Sequence, residues 1–121
     1  MAVRPLRAAD RPQVRAMMQA LWPQESDFLD PQERLRETIW VWQGADGRLG
    51  GFLSFSIRPF ANGCDSAPVP FVEGWYVVPR LRRKGVGKAL LSALEGWCIR
   101  QGYRELGSDT ELWRRSSMAR R

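Results

Sequence analysis

The 121-residue sequence contains no histidine, which excludes a Ser-His-Asp or Cys-His nucleophilic centre and every histidine-ligated metal site. Acid and base chemistry then falls to carboxylates, Tyr, Cys or Lys. Cysteine is scarce too. Cys64 and Cys98 are too few and too far apart for a zinc cluster, and one pair does not make a disulfide scaffold. They read as buried or idle thiols, and no metal is expected. No apolar run approaches the roughly 18 residues that cross a bilayer, and the first ten residues lack the apolar segment of a signal peptide. A cytoplasmic protein without a membrane partner is the expectation.

What is present describes one ordinary globular domain. Hydrophobic residues make up 44% and charged residues 26%, enough to bury a core at a length that one core serves. The net charge is +6, but its placement matters more than its size. Arg114, Arg115, Arg120 and Arg121 lie at the very end, which leaves fifteen basic residues against thirteen acids in the body. A second basic cluster, Arg80, Arg82, Arg83, Lys84 and Lys88, occupies one short stretch, whereas residues 25–46 hold six acids against two arginines. Such polarity suits an anionic cofactor at one place and a cationic substrate at another.

Periodicity supplies the elements. Val3 to Arg7 reads as a strand, and Asp10 as the N-cap of a helix carrying Val14, Met17, Met18 and Leu21 at helical spacing. After Trp22-Pro23 and an acidic loop, Asp30-Pro31-Gln32-Glu33 reads as a second, short helix start. Residues 39–42 and 51–57 are strand-like and flank Asp46-Gly47, a hairpin signal. Residues 59–70 form a loop, and Phe71 to Val78 a strand that Pro79 ends. Val86, Ala89, Leu90, Ala93, Leu94 and Trp97 predict a long helix from Gly85 to about Gln101, with Gly102 as its stop. A last strand is expected at Glu105 to Ser108. The order β-α-α-β-β-β-α-β predicts an α/β fold.

A strand ending at Val78, then Arg82-Arg83-Lys84-Gly85-Val86-Gly87-Lys88, then an amphipathic helix combines what a pyrophosphate needs: backbone approach at glycine, first-turn amides, a helix dipole and basic side chains. It is neither a Walker loop nor a dinucleotide fingerprint, since no Lys-Ser/Thr pair follows the glycines and position 90 is Leu.

The string Arg82-x-x-Gly85-x-Gly87 resembles the R/Q-x-x-G-x-G/A motif of the GNAT superfamily of N-acetyltransferases, which holds the pyrophosphate of acetyl-CoA. Four further segments, Trp22-Pro23, Ser56 to Cys64, Val72 to Val77 and Gly107 to Leu112, resemble the aminoglycoside 6'-N-acetyltransferases, enzymes of antibiotic resistance. The resemblance covers residues 1–112. It implies a GNAT-like mixed sheet flanked by helices, with the C-terminal helix and strands missing, so that residues 1–112 are an acetyltransferase domain incomplete at its C-terminus and residues 113–121 an atypical Arg-rich tail. It further implies acetyl transfer from acetyl-CoA to a primary amine with no covalent enzyme intermediate, and with activity impaired by the truncation.

The same resemblance distributes roles. Tyr76, Val77 and Val78 would hold the pantetheine arm through backbone groups, and Arg82, Arg83, Lys84, Gly85, Val86, Gly87 and Lys88 the phosphates. Glu73 and Asp109 would bind the acceptor, with one of them as general base, and Trp22 and Phe60 would line the sugar. Each has a plainer reading: Glu73 on a polar strand face, Asp109 capping a turn, Trp22 in the core, the basic turn as a solvated helix start. Tyr103 and Cys98 carry the structural reading alone. The partners implied are acetyl-CoA and a small-molecule aminoglycoside, with no nucleic acid; since many members dimerise, a homodimer is among the assemblies allowed. Two other readings stay open: a GNAT enzyme for another amine, such as a polyamine or a protein N-terminus, and a non-enzymatic acetyl-CoA or nucleic-acid binder.

Overall fold

The structure, a computed structural model, describes residues 2–23 and 37–108. Strands β1 (Ala2–Pro5), β2 (Thr38–Gln43), β3 (Leu49–Arg58) and β4 (Val69–Val77) form one sheet in the order β1-β2-β3-β4. Neighbouring strands run antiparallel. Among the described residues the sheet gains a parallel component where Gly107 bridges Phe71. The strand expected at residues 105–108 is thus reduced, among the described residues, to that bridge. Helices α1 (Arg11–Leu21) and α2 (Val86–Arg100) cover the two faces. The expected second helix near Asp30 and the acids between residues 25 and 33 lie outside the described residues.

Side-chain alternation along the strands sorts the core into two halves. Ile39, Val41 and Phe52 point to Val14, Met17 and Met18 of α1, whereas Leu53 and Phe55, with Trp40 and Trp42, point to Leu90, Leu94 and Cys98 of α2. Burial pushes the Cys98 thiol up to about 12, and nearby Glu95 adds to the rise, so this cysteine is inert packing. The β2–β3 turn contains Asp46-Gly47 as read from the sequence: Gly47 takes φ 84°, and the Asp46 carboxylate accepts the Arg48 amide at 2.9 Å. Helix α2 stops at Gly102, where φ is 88°. There the Tyr103 and Gly102 amides donate back to the Cys98 and Ile99 carbonyls, at 2.9 and 3.1 Å, which satisfies the last helical acceptors. No helix among the described residues is long and apolar enough to cross a membrane.

Asp10 does not act as the expected N-cap of α1, because it already has helical dihedrals and no capping bond. Its carboxylate turns back and accepts two bonds from Arg4, at 2.7 and 3.0 Å, and the Arg7 amide at 2.7 Å. The Arg4 guanidinium, then the Arg7 amide, hold the Asp10 carboxyl below the usual carboxylate range against the opposing effect of burial. A lowered folded-state pKa contributes stability that is complete above about pH 4 and fades as the pH falls through the lowered value. Asp10→Asn is therefore expected to cost about 2 kcal/mol at neutral pH. Below pH 4 the gap to the parent should shrink; urea unfolding at pH 7 and pH 3 checks both.

Candidate active site

Two bulges shape the centre of the sheet. Gln43 pairs with Leu49 but Trp42 with Gly51, and Ser54 pairs with Gly74 but Phe55 with Val72. In β4 the extra residue is Glu73. A bulge breaks the in-out alternation, so Glu73 joins Gly74, Ser54, Ser56 and Arg58 on the α1 face. There the Glu73 carboxylate accepts the Ser56 hydroxyl at 2.6 Å and two bonds from the Arg58 guanidinium, Nε at 2.9 Å and Nη2 at 2.7 Å. The guanidinium also lies over the Phe71 ring, 3.7 Å from its centroid.

Trp22 sits beside this cluster in a packing position. A Cβ on Gly74 would come within 2.6 Å of the Trp22 ring and 3.0 Å of the Ser54 hydroxyl, so glycine is what lets the half-buried indole close over the strand. The same indole meets Phe52 edge-on at 6.5 Å. Phe60, by contrast, is 73% exposed on the loop after β3. That loop is tied down by a residue without a sequence signal: Glu105, 8% exposed, accepts the Asp65 and Ser66 amides at 2.8 and 2.6 Å and the Ser66 hydroxyl at 2.6 Å. Asp109 lies outside the described residues.

Farther along β4 a cleft of about 390 Å³ opens between the end of α1 and the start of α2, lined by Ala20, Leu21, Trp75, Tyr76, Val77, Arg82 and Gly87. The Val78 amide is already bonded to the Gly50 carbonyl at 2.9 Å, and this register turns the backbone groups of Val77 to the outer edge of the strand. Arg82 Nε donates to the Val77 carbonyl there at 2.8 Å, and its guanidinium stands 5.2 Å from the centre of the Tyr76 ring. Of the three backbone positions read from the sequence, Val77 presents its amide to the outer edge. Val78 does not, since its amide is spent inside the sheet.

The two motif glycines do different work. Gly85 has φ +90°, and a Cβ there would meet nothing within 4 Å; its role is the left-handed turn that launches α2. Arg83 shares that region with φ 64°. Gly87 instead permits contact: a Cβ would stand 3.3 Å from both the Trp75 ring and the Val77 side chain. Without it, the first turn of α2 seats directly on the end of β4. Among the described residues no side chain caps that turn and no acid lies in it, so its amides and dipole suit an anion. The Arg83, Lys84 and Lys88 side chains are exposed around it, whereas the Val86 side chain, 4% exposed, belongs to the core.

Among the described residues, a basic helix start without a side-chain cap, the outer edge of β4 at Val77 and a cleft beside them give an α/β domain whose geometry can take an extended cofactor with a charged end. The chain belongs to the acetyltransferase (GNAT) family, whose profile matches residues 5–119. It is 40% identical over 119 residues to the aminoglycoside N(6')-acetyltransferase type 1 of Klebsiella aerogenes, covering 91% of this chain and 78% of that one. To the enzyme of the same name from Salmonella typhimurium it is 40% identical over 102 residues, 79% and 70% of the two chains. Among solved structures it superposes on AAC(6')-Iy in complex with the bisubstrate analog CoA-S-monomethyl-acetylneamine, with a TM-score of 0.80, 33% identity, and 92% and 80% of the chains covered. The aminoglycoside 6'-N-acetyltransferase AAC(6')-IG from Acinetobacter haemolyticus gives 0.80 at 28% identity, covering 93% and 81%. Membership makes this chain an acetyl-CoA-dependent N-acetyltransferase, and the cleft accords with that cofactor: amides and cations at one end, and the outer edge of β4 at Val77 along the wall.

Beyond the residues read from the sequence, the site includes Arg58, Ser56 and Ser54 on β3, and Ala20 and Leu21 on α1. A signal for the first three was present. Ser54, Ser56 and Arg58 recur at spacing two, the mark of one strand face.

Proposed function

We propose that this chain is an aminoglycoside 6'-N-acetyltransferase. The observation that carries the reading is the position of the Glu73 carboxylate on the same sheet face as Tyr76 of the cofactor cleft, three residues or about 10 Å away along β4. Its named relatives and the neamine-bearing analog in the AAC(6')-Iy structure support the acceptor class.

In this reading the first-turn amides of Val86, Gly87 and Lys88, with Arg83, Lys84 and Lys88, hold the diphosphate. The Val77 edge aligns the pantetheine arm. Bound acetyl-CoA supplies an acetyl group already activated as a thioester. Glu73 anchors an acceptor ammonium. Since both of its oxygens already accept hydrogen bonds, removal of the amine proton is assigned to Asp109, either directly or through water. Trp22 closes the pocket behind Gly74 and Phe60 offers an exposed ring to the sugar. The working unit is residues 1–112, acting in the cytoplasm on small molecules.

Acetyl transfer from acetyl-CoA to kanamycin or tobramycin, followed by thiol release, tests the assignment. Binding of acetyl-CoA without transfer to any aminoglycoside would sink it. Glu73→Gln keeps the shape and removes the charge. It is expected to lower kcat/KM for kanamycin about 30-fold, the worth of one charged hydrogen bond. Acetyl-CoA affinity should stay at the parent value, which calorimetry can confirm.

A further inference from the structure

The Glu73 carboxylate meets an arginine of its own protein, although its proposed ligand is a cation. The fork of Arg58 takes both oxygens, at 2.7 and 2.9 Å, and Ser56 takes one of them again. The two partners differ in freedom. The Glu73 side chain is 18% exposed and fixed to a bulge in the sheet, whereas that of Arg58 is 42% exposed at the last position of β3. A mostly buried carboxylate needs a cation beside it, but a half-exposed guanidinium can return to water at little cost. The Phe71 ring, 3.7 Å away, offers the guanidinium a second hold that does not depend on Glu73.

We propose that Arg58 is a specificity-determining residue that occupies the acceptor's cation position on Glu73, so that an acceptor ammonium binds by exchange with the Arg58 guanidinium. Every acceptor must then offset a lost two-point ion pair. A simple monoamine brings one ammonium and little else, so the exchange disfavours it. A polycation brings further ammonium and hydroxyl groups that make contacts elsewhere and recover the loss. Discrimination comes from an interaction the free protein already makes. This inference rests on the aminoglycoside reading for its choice of acceptor, but its test does not require turnover.

Arg58→Met removes the charge and keeps an unbranched chain able to cover Phe71. In calorimetric titrations it is expected to bind kanamycin about fivefold more tightly than the parent, a gain in the range of exposed and half-exposed ion pairs. The gain should vanish in a Glu73→Gln background, because the released carboxylate is its source. Kinetically, KM for kanamycin should fall and the preference for kanamycin over a monoamine should narrow. A purely structural Arg58 would give the opposite sign, weaker binding and lower stability. Kanamycin affinity equal to or below the parent's in folded Arg58→Met, absent binding in both included, overturns the proposal, and Arg58→Gln carries the same test if the Met variant does not fold. Failure of the parent to acetylate any aminoglycoside would remove the functional reading instead, while the affinity comparison still decides the exchange.

Discussion

Gly87→Glu is expected to weaken acetyl-CoA binding about 100-fold, or about 2.7 kcal/mol, while the protein stays folded. A glutamate in the first turn of a helix is by itself favourable, since it meets the positive end of the dipole, and replacing glycine improves helix propensity. The loss is therefore specific to the ligand. The new carboxylate competes for the same amides that would receive the diphosphate and repels its charge, and the Cβ, 3.3 Å from the Trp75 ring and the Val77 side chain, makes those side chains give by a few tenths of an ångström. Gly87→Ala isolates that displacement and should cost only a few-fold on the same affinity scale. Titration calorimetry with acetyl-CoA, alongside thermal melts, separates binding from folding. A folded Gly87→Glu protein with parental affinity would remove the phosphate-site assignment.

Phe52→Ala is expected to cost about 4 kcal/mol of stability, the usual range for deleting a fully buried ring. Phe52 is 0% exposed and lies between the two halves of the site. It meets the Trp22 edge at 6.5 Å and stacks on Tyr76 at 6.4 Å with 28° between planes. The cavity left behind would remove support from the indole that closes over Gly74 and from the tyrosine that walls the cleft. A small domain has about 5–15 kcal/mol in hand, so the variant should fold only marginally and unfold at much lower urea. Any residual activity should show raised KM for both substrates, unlike Glu73→Gln. A shift below 1 kcal/mol would mean that the site does not depend on this stack.

Local chemistry made much of this protein readable before its fold. The helical spacing from Val86 to Trp97, the Gly102 stop and the Asp46-Gly47 turn depend on neighbours within a few residues, and the structure has them where periodicity and turn chemistry place them. Asp10 departs from its local expectation and does not cap α1. A cap preference is local, but the Arg4 guanidinium that captures its carboxylate arrives from β1.

The sequence alone determined an α/β domain, the absence of histidine and hence of the chemistry histidine supports, and a glycine-rich basic turn opening a helix. These follow from composition and from short-range patterns whose physical causes lie within one or two turns of chain. Only the tertiary structure decided that Gly87 serves a contact with Trp75 and Val77 rather than a turn, that Val77 and not Val78 presents its amide to the strand edge, and that Glu73 is held by Arg58. Each of these depends on strand register and on a single extra residue in β4. A bulge reverses which face a side chain joins, and neither propensity nor periodicity along one strand reveals the partner against which it is counted.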